Sequence, residues 1–223
     1  MSHVCGSRFA FSLDNALRRL VHPPQKILGE LVQSGMSAMD VGCGPGHFTL
    51  DLARLVGERG KVLAVDLQEG MLAKVQAKAR AQGLESRIAL HRAAGRVAGV
   101  GVGLDFILCF WMLHEVPDAH AMLVDLHGRL KPGGALLLAE PILHVGRKRF
   151  EAETGLALMA GFRVAERLDL RWSRAVLLHK DLPAEKAPQK RGATGKSAPK
   201  GKSAKRVSRS KGKSGPARPS SRR

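Results

Sequence analysis

The hydrophobic pattern of this chain changes repeatedly between two periods. Short runs rich in aliphatic residues predict strands at residues 37–41, 62–66, 87–91, 106–110, 135–140, 161–170 and 174–179. Segments with apolar residues three or four positions apart predict helices at 48–56, 69–82, 119–130 and 148–159. This alternation predicts an α/β fold with a mostly parallel sheet and helices on both faces. The last two strands have only a short connection, so they must form an antiparallel hairpin.

Two segments lie outside this alternation. Apolar positions within residues 11–33 predict two short helices, one before and one after the Pro23-Pro24 pair, because proline interrupts helical hydrogen bonding. From Leu182 onward the chain is mainly Lys, Arg, Ser, Pro, Ala and Gly, so we expect it to be disordered. We therefore divide the chain into a helical leader at 1–35, a globular domain at 36–180 and a basic tail at 181–223.

The most informative motif is the glycine-rich segment after the first predicted strand. Glycine stands at every second position, at Gly42, Gly44 and Gly46, and a helical pattern follows directly. Such a turn lets a ligand approach the backbone, and the helix N-terminus favours a negative group. Twenty residues further on, Asp66 ends the second predicted strand, where an acid is placed to accept both hydroxyls of a ribose.

The spacing of these glycines separates two kinds of nucleotide site. A dinucleotide fingerprint requires glycine at position 47, where this chain has His47. The departure argues against NAD and FAD. The first half of the chain therefore predicts a nucleoside pocket without a pyrophosphate site.

With these motifs the chain resembles the class I S-adenosylmethionine-dependent methyltransferases. The resemblance covers about residues 25–180 and includes D-x-G-x-G-x-G at 40–46, Asp66, a fourth strand at 104–110 and L-K-P-G-G at 130–134. Residues 111–118 look most like the quinone-biosynthesis and small-molecule branch of that family. The resemblance implies a Rossmann-like, seven-stranded, mostly parallel sheet with an antiparallel C-terminal hairpin. It also implies S-adenosyl-L-methionine as the cofactor.

The resemblance further implies that residues after the first, second and fourth strands bind the cofactor. They are Asp40, Gly42, Gly44, Gly46, Asp66, Leu67 and Phe110. Asp40 would hold the methionine ammonium group, with a helix or turn cap as the alternative, and Leu67 would pack either against adenine or in the core. After the third strand the family often has an acid for the adenine amino group. This chain has Ala93-Ala94-Gly95 there, so the adenine end departs from the pattern.

Candidates for acceptor binding and catalysis follow the fourth and fifth strands, because ligands of open α/β sheets bind at the carboxyl ends of the strands. Trp111, Glu115 and His144 are predicted to line a substrate pocket. The resemblance implies that the leader packs over the cofactor pocket as a lid or substrate wall, and the alternative is that it only covers the sheet. His114 is a candidate general base, with an unperturbed pKa near ~6.5. The alternative, which we favour, is that His114 braces the lid or caps the next helix, because methylation of an acidified carbon needs no enzymatic base.

Charge and cysteine content narrow the class of protein. The formal net charge is +18, but the tail alone holds 14 Lys or Arg residues against two acids, while residues 1–180 hold 23 against 17. Three scattered cysteines lack metal-ligand spacing, so we predict no metal site and no disulfide framework. No apolar run of membrane-spanning length and no signal peptide are visible, and we expect a cytoplasmic protein.

Three functions remain open on the sequence. The first, which we favour, is methyl transfer to a small molecule, with the tail as an accessory. The second is a methyltransferase that acts on RNA or on a nucleic-acid-associated protein and is recruited by the tail, since a basic disordered segment binds polyanions without specificity. The third is a non-enzymatic nucleic-acid-binding protein on a methyltransferase fold, against which Asp40, the three glycines and Asp66 argue.

Overall fold

The computed structural model describes residues 21–93 and 102–182. These residues form a seven-stranded sheet in the order β3-β2-β1-β4-β5-β7-β6. The strands are β1 Ser37–Val41, β2 Lys61–Asp66, β3 Ile88–Arg92, β4 Leu104–Phe110, β5 Leu130–Pro141, β6 Phe162–Leu170 and β7 Ser173–Lys180. The predicted α/β fold is confirmed, and most strand bounds differ from the prediction by only one or two residues.

Parallel pairing joins the first five strands, and antiparallel pairing joins the last two to them. β1 pairs with both β2 and β4, so the chain winds outward in opposite directions on the two sides of β1 and β4. β7 lies between β5 and β6 and pairs antiparallel with both. The predicted antiparallel hairpin is therefore confirmed, and its turn lies at the same edge of the sheet as the carboxyl ends of the parallel strands.

Helices cover both faces of the sheet, as the sequence predicted. They are α1 Pro24–Leu28, α2 Thr49–Leu55, α3 Glu69–Ala81, α4 Ala119–Arg129 and α5 Arg147–Met159. The central strand β4 shows why two covers are needed: Phe106 and Leu108 belong to one apolar cluster, whereas Ile107 and Cys109 belong to the other. All four are fully buried, and successive residues of a strand point to opposite faces.

Two differences from the sequence predictions concern the ends of elements, and some predictions cannot be compared. α1 begins at Pro24 itself, because the first helical position needs no N–H donor and proline fits there. β5 begins at Leu130 rather than at residue 135, since Leu130 pairs with Leu104 before an irregularity in the register. The first predicted leader helix, the tail from residue 183, and residues 94–101 with most of the Ala93-Ala94-Gly95 triplet lie outside the described residues.

A pair of glycines tests the packing of this fold. In Gly155→Ala the new methyl group meets no atom within 4 Å, and the site lies inside α5, so we expect the free energy of unfolding to rise by about 0.5–1 kcal/mol. In Gly60→Ala the methyl group would lie 2.4 Å from Val56 Cβ, and we expect a loss of about 1–3 kcal/mol. Denaturant titration followed by circular dichroism measures both. Equal stability of the two variants would contradict the packing described here.

Candidate functional site

A cavity of about 170 Å³ lies at the carboxyl edge of the sheet, where the segments after β1, β4 and β5 meet. Eight of the residues predicted from the sequence line it: Asp40, Gly42, Gly44, Phe110, Trp111, His114, Glu115 and His144. Cys43, Pro45, His47, Phe48 and Pro141 complete the lining. The structure thus brings together the predicted methionine end of the cofactor site and the predicted acceptor site.

The three glycines of the turn have different surroundings. All have positive φ, at +69° for Gly42, +52° for Gly44 and +91° for Gly46. A Cβ at Gly42 would lie 2.8 Å from the Met112 side chain, and one at Gly46 would lie 3.2 Å from Val75. A Cβ at Gly44 would meet no atom within 4 Å. Gly42 and Gly46 therefore serve the turn and its packing, whereas Gly44 leaves open space beside the cavity.

Two carboxylates hold this turn. Asp40 is buried and accepts a hydrogen bond from Thr49 Oγ1 at 2.6 Å, which connects the end of β1 to the start of α2. Asp66 accepts the backbone N–H groups of Gly44 and Gln68, both at 2.9 Å. A carboxylate offers about four lone-pair positions, so these contacts leave Asp66 capacity for further donors. The alternative that these acids serve as turn caps is partly realised, and it does not exclude ligand binding.

Three predicted cofactor residues lie outside the enclosed cavity. Gly46, Asp66 and Leu67 do not line it. The Leu67 side chain is 46% exposed, which excludes the interpretation of Leu67 as a core residue. Typical ligand pockets measure about 300–1,000 Å³, so this cavity can enclose only one part of a nucleoside cofactor. The remainder would have to extend over Asp66 and Leu67.

Trp111 is held in a strained position at the rim of the cavity. Its φ is +62°, a conformation that non-glycine residues rarely adopt. Its backbone N–H donates to Ala139 O at 2.8 Å, and its indole Nε1–H donates to Ser173 Oγ at 2.8 Å. Strain of this kind costs about 1–3 kcal/mol and persists only where neighbouring contacts enforce it. The sequence prediction that Trp111 lines a pocket agrees with this position.

Two histidines of the site were not predicted from the sequence. His47, only 2% exposed, lines the cavity, and its Nε2 lies 3.2 Å from His22 O. His22 Nε2 lies 2.6 Å from Arg171 O and 3.1 Å from Ser173 Oγ. These contacts join the leader to the β6–β7 turn across about 150 residues of chain, and no local pattern in the sequence signals such a pairing.

A histidine and a carboxylate form a close pair at the opposite wall. His114 Nδ1 lies 2.5 Å from Oε2 of Glu140, which is the last residue but one of β5 and has no exposed surface. The His114 backbone N–H also donates to Glu140 Oε1, at 3.2 Å. Because the carboxylate can only accept, the proton of the neutral imidazole belongs on Nδ1, and Nε2 is the basic nitrogen.

Side chains on two other segments, α5 and the turn after β5, face this pair. Arg149 on α5 donates to the His114 carbonyl at 2.6 Å and to Glu153 Oε1 at 3.1 Å, and the His144 ring stacks on the His114 ring at 6.3 Å. Burial lowers the pKa of His114, but its hydrogen bond to Glu140 and the negative charges of Glu140 and Glu115 outweigh burial and Arg149. The net result is a pKa raised above the ordinary value of histidine.

Glu140 is the functional candidate that sequence reasoning missed. The sequence contained a signal: the run Leu136–Ala139 consists of apolar residues only, and an acid follows it near the carboxyl end of a buried strand. Asp40 is likewise the last residue but one of β1, and Asp66 is the last residue of β2. A carboxylate at the end of a third strand could therefore have been selected by the same rule.

The two cysteines and the arrangement of possible metal ligands bear on other kinds of chemistry at this site. Burial is the main cause that raises the pKa of both Cys43 and Cys109, so each thiol keeps its proton. Within residues 21–93 and 102–182, no three His, Cys, Asp or Glu side chains are close enough together to hold a metal ion.

Comparison with solved structures defines the class of fold. The chain superposes on a SAM-dependent methyltransferase from Aquifex aeolicus with a TM-score of 0.71 and 26% identity, over 79% of this chain and all of that one. It also superposes on the cyclase SpnF with a TM-score of 0.62 and 16% identity, over 75% of this chain and 83% of that one. The fold is that of the class I S-adenosylmethionine-dependent methyltransferases, and the second likeness concerns the fold alone.

Sequence comparison shows which proteins part of this chain resembles. Residues 38–134 match the family described as "Methyltransferase domain". Over 109 residues, or 49% of this chain, the sequence is 35% identical to demethylmenaquinone methyltransferases of Geobacillus stearothermophilus and Bacillus cereus (strain B4264). The chain spans about half the length of these relatives, 47% and 46% respectively. Residues 38–134 are therefore similar in sequence to a methyltransferase domain, and 109 residues of the chain are similar to part of the enzymes named demethylmenaquinone methyltransferases.

The electrostatics of the His114–Glu140 pair can be tested without an assay of activity. In Glu140→Gln we expect the pKa of His114 to fall, because the carboxylate that favours the imidazolium is removed while burial remains. NMR titration of ¹³C-labelled histidine measures this pKa. Glu115→Gln is the matched control, and since Glu115 raises the pKa less than Glu140 does, it should give a smaller decrease. An unchanged or higher pKa in Glu140→Gln would contradict the pairing.

Proposed function

We propose that this protein transfers a methyl group from S-adenosylmethionine to a small-molecule acceptor in the cytoplasm. One observation carries the proposal: Gly44 leaves open space at a turn held by Asp66, next to a cavity that Asp40, His114 and Trp111 line. A site of this composition suits a cofactor with an ammonium group and a ribose at one end and an acceptor at the other. The similarity to demethylmenaquinone methyltransferases supports the same reaction class.

The residues present fit this cofactor. We assign Asp40 to the ammonium group of the cofactor and Asp66 to its ribose hydroxyls. The turn with Gly42, Gly44 and Gly46 would let the cofactor approach the protein backbone, and the exposed Leu67 would pack on one face of the adenine. Phe110, which is buried and contacts the Phe48 and Trp111 rings, closes the inner wall. When bound, S-adenosylmethionine supplies an electrophilic methyl group on a sulfonium centre. The protein mainly positions the partners, worth up to ~7–11 kcal/mol of the barrier.

We assign His114 the role of the general base. Neutral His114 donates through Nδ1 to Glu140 and accepts through Nε2 the proton that a hydroxyl or an acidic C–H group of the acceptor loses. Glu140 touches His114 and acts through it, since it fixes the tautomer and stabilises the imidazolium that forms. The short turn Leu113–Glu115 and the contact from Arg149 hold the imidazole against the cavity.

The aromatic lining suggests the class of the acceptor. Phe48, Phe110 and Trp111 form one wall, and His114 and His144 lie nearby as a stacked pair. Flat aromatic rings stack well against such walls. Together with the relatives named demethylmenaquinone methyltransferase, this lining supports a quinol-like aromatic acceptor with an ionisable hydroxyl group.

The basic tail suggests a second binding activity. Its 14 Lys or Arg residues against two acids favour non-specific binding to nucleic acid or another polyanion, through the release of counterions. We propose this as an accessory property. A methyltransferase directed at RNA, or a non-enzymatic nucleic-acid-binding protein, would require the tail to determine the function, and the aromatic cavity of the globular domain favours a small acceptor instead.

Two glycines that both have positive φ and open surroundings test the cofactor site. Gly44→Val places a branched side chain in the open space that we assign to the cofactor. We expect affinity for S-adenosylhomocysteine to fall about 10-fold or more, because overpacking against the bound ligand would cost about 1–3 kcal/mol. Gly83→Val is the control, because Gly83 also has positive φ (+64°) and open surroundings but lies after α3. Calorimetry on both folded variants measures the affinities. Equal affinities would refute the assignment of Gly44.

Methyl transfer itself is tested with a labelled cofactor. We expect the purified protein to move the methyl group of [methyl-¹⁴C]S-adenosylmethionine to a reduced naphthoquinol that lacks a ring methyl group, and His114→Ala to lower the rate by about 10²–10⁴-fold with cofactor affinity unchanged. His91→Ala, a histidine on β3 outside the cavity, is the control. Transfer only to RNA or protein would overturn the small-molecule proposal, and a rate unaffected by His114→Ala would return that residue to a bracing role.

A further inference from the structure

Two neighbouring turns at the carboxyl edge of the sheet form an exposed surface that the methyl-transfer site does not use. One turn follows β5 and the other connects β6 to β7; the Ile142 N–H donates to Trp172 O at 3.0 Å and joins them. We call this surface the hairpin patch and define it by Ile142, Leu143, Arg147, Arg171, Trp172 and Arg174.

The apolar residues of the hairpin patch project into solvent. Leu143 is 86% exposed, Trp172 51% and Ile142 39%. Single exposed apolar residues are common on protein surfaces, but three large ones on one hydrogen-bonded pair of turns are not explained by folding. The patch therefore has the composition of an interaction surface.

Trp172 occupies a backbone conformation that costs stability. Leu170 pairs with Ser173, so Arg171 and Trp172 form a two-residue hairpin loop, and Trp172 has a φ of +57°. Glycine or asparagine is the usual residue at such a position. A bulky side chain there costs about 1–3 kcal/mol. Because about half of its surface stays exposed, Trp172 contributes less to the fold than a buried tryptophan would, which points to a role outside the fold.

Positive charge surrounds these apolar residues. A groove of about 720 Å³ between α5 and the β6–β7 hairpin is lined by four arginines and only two acids, Glu151 and Asp169. Arg167 is bound to Glu151 at 2.7 Å. The other three, Arg147, Arg171 and Arg174, form no ion pair with any residue in the described ranges. Their guanidinium groups are available for anions outside the domain.

The hairpin patch borders the cavity of the methyl-transfer site. Pro141 and His144 line that cavity, whereas Ile142 and Leu143, which stand between them in the chain, are exposed. On the other turn, Ser173 follows Trp172 and accepts the indole N–H of Trp111. A surface bound to the patch would therefore lie next to the mouth of the site.

We propose that the hairpin patch docks this domain on the surface of a bilayer that contains anionic phospholipids. Trp172 and Leu143 enter the headgroup region, where indole and aliphatic side chains are favoured, and Arg147, Arg171 and Arg174 contact lipid phosphates. Stable anchoring to a bilayer usually takes two signals, and the basic tail supplies a second, purely electrostatic one. None of the described helices is long and apolar enough to cross a membrane, so the contact is interfacial.

Tryptophan fluorescence distinguishes the patch from the tail. The chain has two tryptophans, Trp111 and Trp172, and the tail has none. The full chain is mixed with vesicles of phosphatidylcholine and phosphatidylglycerol that carry brominated acyl chains, which quench only tryptophan inserted near them. We expect quenching of the wild-type emission and its loss in Trp172→Phe, in which only the less exposed Trp111 remains. Vesicles of phosphatidylcholine alone should quench much less.

Two further variants test the roles of the apolar and basic residues. Leu143→Ser should weaken quenching-detected binding by about 10-fold, because the buried aliphatic carbons are lost. Met159→Ser is the matched control, since Met159 is 74% exposed outside the patch, and it should bind as wild type does. The double variant Arg171→Gln/Arg174→Gln should weaken binding to anionic vesicles only.

Three results would overturn the proposal. Sedimentation with vesicles without quenching would mean that the tail alone binds lipid. Equal effects of Leu143→Ser and Met159→Ser would remove the patch from the contact, and absence of any vesicle binding would leave an acidic protein as the better partner. Each readout is independent of methyl transfer, so failure of this proposal and failure of the proposed function can be told apart.

Discussion

The parallel pairing of β1 with β4 is the constraint on which the rest of this structure depends. The chain winds from β1 outward to β2 and β3 in one direction, and from β4 outward to β5 in the other. No connection can cover the carboxyl ends of both central strands, so a crevice opens between the segments that follow them. The glycine turn after β1 and the Trp111–Glu115 segment after β4 face each other across this crevice, because the two paired strands end side by side at the same edge of the sheet.

Three strands, β1, β2 and β5, carry a carboxylate near the end that faces this edge of the sheet, and each carboxylate is held in a different way. Asp40 accepts from a threonine of the next helix, Asp66 from two backbone N–H groups, and Glu140 from both the backbone and the ring of His114. A buried charge is tolerated only when such partners are present. The hydrogen bonds that make these acids compatible with folding also fix their positions, so the site is organised before any ligand arrives.

How much of the fold and of the site could be predicted depends on how far apart in the chain the interacting residues lie. The glycine turn is a local signal, and the alternation of Phe106 and Leu108 with Ile107 and Cys109 follows from burial on both faces, so strands and turn were predictable. The pairing of His114 with Glu140 joins residues 26 apart, and that of His22 with Ser173 joins residues 151 apart. Sheet register brings these residues together, and the periodicity of a single sequence does not determine which residues of distant segments become neighbours. Positive φ at Trp172 was unpredictable for the opposite reason, because local preference opposes it.

The strained tryptophans show that the site and the hairpin patch share one support. The β5–β7 antiparallel ladder holds Ala139 and Ser173, which accept the backbone and indole N–H groups of Trp111. One residue beyond the same ladder, Trp172 accepts the backbone N–H of Ile142. These contacts lie at the end of a seven-pair ladder, and neighbouring contacts of this kind can enforce conformations that cost about 1–3 kcal/mol each. A displacement of β7 relative to β5 would release both tryptophans together, and the wall of the cavity and the exposed surface beside it would change as a unit.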